Sequence, residues 1–410
     1  MSKTSGQVVI VGAGHAGGSA AALLRQYGWQ GPIILIGAEQ EVPYQRPPLS
    51  KAWLKGEQQL ADLLLRPAAF YPGSLIDLRL GCEVTAIDRA GGCVVLSDGE
   101  RVGYDHLILA TGCHARALPV TGHRLGGVAA LRTLADADRL RPLLHTGARV
   151  AIIGAGYIGL EVAASARSNG AKVVVIEREA RVLPRVASAP LSDFFQRRHV
   201  SAGVRIITNA TVEAFEGDGD RVAGVRLSDG EVIDCDAVLV GIGAAPNQAL
   251  AQAAGLACDN GIHVDLAART ADPAIHAIGD CTQRPVPLYQ RTCRLESVPN
   301  ALEQAKQAAA DLCGRAPPAP EVPWFWSDQY EVRLQIAGLP FDVVAAVVRG
   351  DPASGVFAAF HLAEDGTVQA VEAVNAPAEF MAGRMMIARR KRVVASRLAD
   401  VSCSIRELAG

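Results

Sequence analysis

Two stretches of the chain share one pattern of apolar and small residues. Gln7–Gly18 and Arg149–Leu160 each place a run of β-branched residues before a G-x-G-x-x-G turn, and an alanine-rich segment follows. A continuous apolar run followed by helical spacing predicts a buried strand, a tight turn and a helix. We expect the first helix to end near Gly28 and the second near Asn169-Gly170, with glycine past the C-terminus.

A second pair of similar segments follows these turns. Leu107–Gly112 reads LILATG and Val238–Gly243 reads VLVGIG, and each comes at a similar interval after its glycine turn. The chain therefore holds two related α/β units, and the second is inserted in the first. The segment Arg269–Cys281 is expected to complete the first unit. Short apolar strands alternating with helices predict a parallel sheet in each.

The region after these units has a different composition. Gly314–Pro323 is rich in proline and reads as a linker. Beyond it, the strand-like runs VRLQIAG and FDVVAAVVRG predict a third, smaller α+β domain. We expect the first domain to comprise residues 1–115 and 244–318, the inserted domain residues 116–243, and the C-terminal domain residues 319–410.

Composition and charge favour a globular protein, and the scattered cysteines described below favour a cytoplasmic location. Half of the 410 residues are hydrophobic, a fifth are charged, and the formal net charge is −2, which gives no general attraction for nucleic acid or anionic membranes. The N-terminal residues lack a signal-peptide pattern. The apolar run Val8–Leu24 contains glycines and reads as strand then helix, not as a membrane span. The basic segment Arg384–Arg397 is either a solvated helix face or a docking site.

The nine cysteines do not follow a redox or metal-binding pattern. They are scattered, their number is odd, and no two form a C-x-x-C. We expect reduced thiols, most of them buried, and no metal site. Cys281, which follows Gly279-Asp280, is the one candidate for a reactive thiol, with a core position as the alternative.

The first glycine turn has the chemistry of a dinucleotide site. Gly12 permits the tight turn, Gly14 lets the backbone approach a pyrophosphate, and Gly17 lets the helix pack closely on the sheet. The helix N-terminus would present N–H groups to the phosphates. An acid at the end of the next strand binds the ribose in such sites, and Glu39 is the nearest acid, after Ala38.

The second turn predicts a nicotinamide nucleotide site. Its glycines are Gly154, Gly156 and Gly159, and the next strand ends in Glu177. A carboxylate there accepts the ribose hydroxyls and repels a 2′-phosphate, so it favours NAD over NADP. Because Arg178 follows directly, we expect a preference for NADH and not exclusivity. Two dinucleotide sites in one chain imply electron transfer between the cofactors.

Five blocks carry a more specific resemblance. They are GAGHAG, the loop Pro43–Lys51 (PYQRPPLSK), AIGDC, the run Arg294–Ala305 (RLESVPNALEQA) and Pro323–Glu331 (PWFWSDQYE). Together they resemble the putidaredoxin reductase-like, NADH-dependent ferredoxin reductases of bacterial oxygenase systems, over essentially the whole chain. The resemblance implies a glutathione-reductase-like fold, in which the first two domains bind FAD and NADH and the third is an interface domain. It also implies electron transfer from the flavin to a 2Fe–2S ferredoxin, which supplies a haem monooxygenase or a Rieske dioxygenase.

The resemblance also implies roles for single residues. Lys51, against the flavin, and Glu161, its partner near the nicotinamide, are the candidate catalytic pair. The candidate FAD contacts are Gly12, Gly14, Ala16, Gly17, Glu39, Arg46, Lys51, Val84, Ala110, Arg132, Asp280, Val298 and Trp326. The candidate NAD contacts are Gly154, Gly156, Tyr157, Ile158, Gly159, Glu161, Glu177 and Gly243.

The partner and the alternatives complete the prediction. Ferredoxins of this type are acidic, so we expect a basic docking patch near the flavin edge, with Arg66, Lys306 and Arg333 as candidates. A rubredoxin reductase and a non-enzymatic redox-sensing flavoprotein stay open as alternatives. An NADH oxidase or peroxidase would need a cysteine near positions 40 to 50, and Pro43–Lys51, where disulfide reductases of this fold carry their cysteine pair, contains none.

Overall fold

A computed structural model describes residues 5–410 and divides the chain into two compact units. The first unit comprises the N-terminal segment up to Gln45, then Leu60–His114 and Ala245–Pro323. The second comprises Arg46–Gln59, Ala115–Ala244 and Trp324–Gly410. The division into three domains stays a prediction beside these two units.

The helices are numbered in chain order. They are α1 His15–Gln26, α2 Ala52–Lys55, α3 Leu60–Leu63, α4 Phe70–Gly73, α5 Leu134–Leu140, α6 Tyr157–Ser168, α7 Ala189–Ser201, α8 Ala249–Ala253, α9 Val298–Leu312, α10 Pro377–Ala388, α11 Ala395–Ala399 and α12 Ile405–Ala409. Two 3₁₀ turns, Pro47–Ser50 and Gly279–Cys281, carry predicted site residues at or beside their ends.

The strands are numbered in the same way. They are β1 Val8–Val11, β2 Ile33–Gly37, β3 Ile76–Leu80, β4 Val84–Asp88, β5 Cys93–Leu96, β6 Arg101–Gly103, β7 His106–Leu109, β8 Cys113–Ala115, β9 Val128–Ala129, β10 Arg149–Ile153, β11 Lys172–Ile176, β12 Arg205–Ile207, β13 Val212–Asp218, β14 Arg221–Leu227, β15 Val232–Asp234, β16 Ala237–Val240, β17 Ala244–Pro246, β18 Ile262–His263, β19 Ile275–Ala277, β20 Thr282–Val286, β21 Arg291–Cys293, β22 Trp324–Gln329, β23 Val332–Gly338, β24 Ala345–Asp351, β25 Val356–Leu362 and β26 Val368–Val374.

The first unit is built on a parallel sheet in the order β19-β7-β1-β2-β3. Alternate residues of β1 point to opposite faces: Val8 and Ile10 pack with α1 and α9, whereas Val9 and Val11 pack with β4–β6 and α8. Alanines on α1 and α9 share the first of these cores, which lets the two helices approach closely. The strand β19 pairs with β7, so the returning segment completes this sheet as predicted.

The second unit repeats this sheet, in the order β12-β11-β10-β16-β9. The strands β10, β11 and β16 correspond to β1, β2 and β7, and the antiparallel β13–β15 cover one face as β4–β6 do in the first unit. The edge strand differs. In the second unit β9 precedes β10 in sequence, whereas in the first unit β19 returns from far downstream.

The C-terminal region forms the predicted α+β arrangement. An antiparallel sheet in the order β22-β23-β26-β25-β24 packs with α10–α12, and the predicted linker Gly314–Pro323 contains neither helix nor strand. The basic segment Arg384–Arg397 is not one helix face, because α10 ends at Ala388 and α11 begins only at Ala395. Within residues 5–410, no helix combines the length and apolar character needed to cross a membrane.

Candidate functional site

The first glycine turn joins β1 to α1 and fits a dinucleotide pyrophosphate. Gly12 has φ +110°, and a Cβ there would overlap the Ala110 carbonyl oxygen, so only glycine suits the turn. Gly14 is the N-cap of α1, and within residues 5–410 no side chain caps that helix end. The first N–H groups of α1 therefore face outward with the positive end of the helix dipole. Gly17 packs against the Gly12 carbonyl, and Ala16 is buried beside it in the same turn.

Three further predicted FAD contacts belong to the first unit. The Glu39 carboxylate accepts a hydrogen bond from the buried Tyr44 hydroxyl at 2.5 Å, which fixes the acid just past β2. Asp280 lies in the Gly279–Cys281 turn, and the Cys113 thiol donates to its carboxylate at 3.4 Å. Val298 begins α9, and the hydroxyl of the N-cap residue Ser297 accepts a hydrogen bond from the Asn300 N–H at 3.2 Å.

The second glycine turn joins β10 to α6 and repeats this geometry. Gly154 has φ +98°, and Gly156 is the N-cap of α6. A Cβ on Gly156 would meet no atom of the protein within 4 Å, so the protein itself does not require glycine there. That open space above the helix end suits the close approach of a ligand backbone such as a pyrophosphate. Gly159 lies against the Gly154 carbonyl, and the Ile158 side chain is 46% exposed on the same helix end.

Glu177 lies beside this second turn. One carboxylate oxygen accepts from the Ala155 N–H at 2.7 Å, and the other accepts from the Glu179 N–H at 3.0 Å. The acid therefore braces the glycine loop, a role that the sequence did not predict, and its remaining lone pairs are available to ribose hydroxyls. Nearby, the Tyr157 hydroxyl donates to the Val186 carbonyl at 3.0 Å, and burial, with the Glu372 carboxylate adding, raises the pKa of Tyr157 well above its usual value.

Lys51 and Glu161 form an ion pair in the second unit. The Lys51 ammonium is 2.7 Å from Glu161 Oε2 and also donates to the Pro47 carbonyl at 3.1 Å. Glu161 is 3% exposed, and two hydroxyls donate to it: Ser50 at 2.5 Å and Ser327 at 2.6 Å. Three donors therefore converge on one buried carboxylate, and the two hydroxyls fix its orientation beside the lysine.

The other predicted contacts lie at strand ends and loops. In the second unit, Arg46 donates to the Arg132 carbonyl at 2.7 Å, so these two predicted residues are brought together. Trp326 is partly exposed on β22, and Gly243, with φ +110°, follows β16. In the first unit, Ala110 follows β7 and is buried, and Val84 begins β4 and is partly exposed.

The candidate docking residues differ in exposure. Arg66 and Arg333 are exposed, whereas Lys306 on α9 is only partly exposed. Arg66 lies in the first unit and Arg333 in the second. All three stay predictions, with Lys306 the weakest because less of it can reach a partner.

All nine cysteines are free thiols, but fewer are buried than predicted. Four are buried and five are partly exposed, so the expectation that most are buried is wrong. Burial raises the pKa of the Cys281 thiol, which contradicts a reactive thiolate there and favours the core alternative. Among residues 5–410 no cluster of three or more His, Cys, Asp or Glu side chains is placed to hold a metal ion.

Sequence comparison identifies the family. Residues 6–305 match the pyridine nucleotide-disulphide oxidoreductase family, and residues 324–409 match the reductase C-terminal family. The chain belongs to the pyridine nucleotide-disulphide oxidoreductase family. FAD and NAD(H) are the cofactors that this membership implies, and the two glycine turns fit them.

Close relatives extend the match along the whole chain. The chain is 52% identical over 404 residues to the probable ferredoxin reductase CtmF of Castellaniella defragrans, covering 98% of both proteins. It is 44% identical over 406 residues to putidaredoxin reductase CamA of Pseudomonas putida, covering 98% of this chain and 96% of the relative. Its structure matches the reductase in a crystal structure of the covalent putidaredoxin reductase–putidaredoxin complex with a TM-score of 0.96, 44% identity and 98% coverage of each chain. The predicted fold class and family resemblance are confirmed.

Proposed function

We propose that this protein is an NADH-dependent ferredoxin reductase. It transfers a hydride from NADH to noncovalent FAD and passes single electrons to a 2Fe–2S ferredoxin that serves a monooxygenase or dioxygenase. The buried Lys51–Glu161 pair is the observation that carries the choice of acceptor. Lys51 is the last residue of the loop Pro43–Lys51, where disulfide reductases of this fold carry their cysteine pair, and this loop contains no cysteine. The electrons therefore leave the flavin for an external acceptor without passing through a thiol of this loop.

Separate sets of residues would bind the two cofactors. Bound FAD supplies the chemistry of accepting a hydride as an electron pair and releasing electrons singly. The cradle that would hold it in the first unit consists of the Gly12 turn, Glu39 and Asp280, with the α9 N-terminus at Val298. The cradle for NADH in the second unit is the Gly156 turn with Glu177.

Lys51 has an electrostatic role in this function. An ammonium placed beside a flavin stabilises the negative charge that develops on reduction, and a fixed charge in a water-poor site does so without reorganisation. Glu161 holds the ammonium in place through an ion pair at 2.7 Å. The α9 N-terminus, capped by Ser297 and with Pro299 in its first turn, adds N–H dipoles of the same sign.

Electron transfer to isolated acceptors tests this function. Protein loaded with FAD should bleach on anaerobic mixing with NADH and then reduce a 2Fe–2S ferredoxin within the turnover time. Faster reduction of a rubredoxin than of any ferredoxin in a panel would favour the rubredoxin alternative. Flavin reduction that is followed by negligible transfer to every acceptor would favour the redox-sensing flavoprotein. We also propose a cytoplasmic location, which cell fractionation would test.

A further inference from the structure

A continuous line of hydrogen bonds leads away from Glu161 through the second unit. The Ser327 hydroxyl is 2.6 Å from Glu161 Oε1, and Gln329 Nε2 is 3.2 Å from that hydroxyl. Gln329 Oε1 is 2.8 Å from His199 Nε2, and the Tyr330 hydroxyl is 3.1 Å from His199 Nδ1. Glu161, Ser327, Gln329 and His199 are all buried, and Tyr330 is half-buried at the outer end.

The direction of every proton in this line follows from the charge of Glu161. A carboxylate only accepts, so the single hydroxyl proton of Ser327 must point to Glu161. Ser327 must then accept from the Gln329 amide nitrogen, which turns the amide oxygen towards His199. His199 must therefore carry its proton on Nε2. Its Nδ1 is left to accept from the Tyr330 hydroxyl.

We propose that Ser327, Gln329 and His199 are positioning residues that hold Glu161 as an oriented carboxylate, and that the tautomer of His199 reports the charge of Glu161. The proposal rests on the function proposed for the Lys51–Glu161 pair. All the bond dipoles point their positive ends towards Glu161, and aligned hydrogen bonds strengthen one another. The line is not a route for protons, because the Gln329 amide at its centre neither gains nor loses a proton near neutral pH.

The groups at the outer end of the line hold Tyr330 in place, and burial determines the charge of His199. Arg198 lies over the Tyr330 ring at 4.0 Å and forms an ion pair with Glu331 at 2.6 Å. Burial lowers the pKa of His199 to about 4, against the opposing effect of the hydrogen bond to Gln329, so the imidazole is neutral at neutral pH. A neutral imidazole has one N–H proton, so the nitrogen that carries it reveals the direction of the hydrogen bonds along the line.

Replacing the charged Glu161 carboxylate with a neutral amide should reverse the direction of the hydrogen bonds along the line. In Glu161→Gln, the Lys51 ammonium requires an acceptor, so the amide oxygen faces Lys51 and the amide nitrogen faces Ser327. Ser327 then accepts and sends its own proton to Gln329, whose amide turns over. Gln329 now donates to His199 Nε2, and the histidine proton moves to Nδ1.

Nitrogen NMR of ¹⁵N-histidine-labelled protein measures this directly, with His199→Gln identifying the resonance. We expect the Nε2–H tautomer in the wild type and the Nδ1–H tautomer in Glu161→Gln. An Nδ1–H or charged ring in the wild type, or the same tautomer in both proteins, would overturn the proposal. This readout does not depend on catalysis.

Rates of flavin reduction in further variants test this proposal separately from the proposed function. Gln329→Met has a similar volume and leaves all three donors on Glu161 in place. It should slow NADH-driven flavin reduction by about two- to fivefold, the share that cooperative strengthening gives to a charge-assisted bond. Asp328→Asn is the matched control, because it is the adjacent position of β22 on the opposite face, and it should leave the rate unchanged.

The outcomes are distinguishable. An unchanged rate in Gln329→Met, together with slow reduction in Lys51→Met, would overturn the positioning role and leave the proposed function standing. Unchanged rates in both variants would instead overturn the role proposed for the Lys51–Glu161 pair. Ser327→Ala, which removes a direct donor, should slow reduction about tenfold, and Ser327→Thr, which restores the hydroxyl, should recover part of that loss.

Discussion

If Glu161 acts only through Lys51, removing both residues should cost no more than removing the lysine alone. The Lys51 side chain is 18% exposed and its ammonium contacts only the Glu161 carboxylate and the Pro47 carbonyl among the contacts described for residues 5–410. Lys51→Met keeps most of the length of the unbranched side chain and removes the charge. Glu161→Gln keeps an acceptor oxygen for the ammonium and removes the counter-charge.

The expected magnitudes follow from these contacts. Loss of one preorganised electrostatic donor costs about 10²-fold in rate, so Lys51→Met should slow flavin reduction by about that factor. Glu161→Gln leaves a lysine that loses a buried charge-assisted bond of about 1.5–3 kcal/mol, so its reduction should slow by about tenfold. The double variant should be slowed by about 10²-fold if, at saturating NADH, Glu161 affects flavin reduction only through Lys51.

Anaerobic stopped-flow mixing with saturating NADH measures the loss of flavin absorbance in a single turnover. Lys55→Met is the matched control, since Lys55 is four residues along the same segment and forms a surface pair with Glu57 at 2.7 Å. The rate of flavin reduction in Lys55→Met should equal that of the wild type. A double variant slowed by about 10³-fold, the product of the two single effects, would refute the dependence of Glu161 on Lys51.

Three further predictions address selectivity, docking and pH. Glu177→Gln keeps an acceptor for the Ala155 N–H but loses the charge that repels a 2′-phosphate, so the NADH/NADPH ratio of kcat/KM should fall about tenfold; an unchanged ratio would remove Glu177 as the discriminator. Arg333→Glu should raise the KM for ferredoxin and weaken its salt dependence without altering ferricyanide reduction, whereas equal loss with both acceptors would indicate damage to the flavin site. The pKa of His199 is about 4 in the folded protein, below the unfolded value of about 6.5, so the unfolded state binds the proton first as the pH falls. The free energy of unfolding should therefore decrease as the pH is lowered from about 6.5 to about 4, by up to about 3 kcal/mol. In Tm measurements over this range, His199→Gln should lose less stability on acidification than the wild type.

The elements that could be predicted are those set by neighbouring residues. The turns at Gly12 and Gly154 each need glycine for a positive φ, and the strand before and the helix after each turn are local in sequence. The capping of α9 by Ser297 follows from its position before a proline in the first turn. For the same reason the linker Gly314–Pro323 was recognisable from its prolines alone.

The contacts around Glu161 could not be predicted in this way, because their partners are distant in sequence. Ser50 and Ser327 lie 111 and 166 positions from Glu161, and His199 lies 130 positions from Gln329. One sequence feature pointed to them. Ser327 and Gln329 occupy alternate positions at the end of β22, after three aromatic residues, and two polar residues on one strand face predict a buried polar network when that face is covered.

The placement of Lys51 shows why the glycine patterns were not sufficient for the site. Its segment, Arg46–Gln59, is flanked in sequence by the first unit but belongs to the second. Besides the contacts of Arg46, Ser50 and Lys51 described above, three more side-chain hydrogen bonds hold it there: Trp53 to Asp138 at 2.9 Å, Ser165 to the Ser50 carbonyl at 2.8 Å, and Asn169 to the Leu54 carbonyl at 3.0 Å.

Two of these last three bonds come from α6 (Ser165) and its C-cap residue (Asn169), and α6 begins at the second glycine turn and also carries Glu161. One helix therefore presents the nucleotide-binding N-terminus, the carboxylate that fixes Lys51, and the polar groups that anchor the lysine's own segment. A shift of α6 would move all three together, so the position of the ammonium is tied to the NADH cradle by covalent and hydrogen-bonded connections within a single unit. This coupling requires no cysteine, so the role proposed for Lys51 in flavin reduction is physically consistent with a segment that contains no cysteine pair.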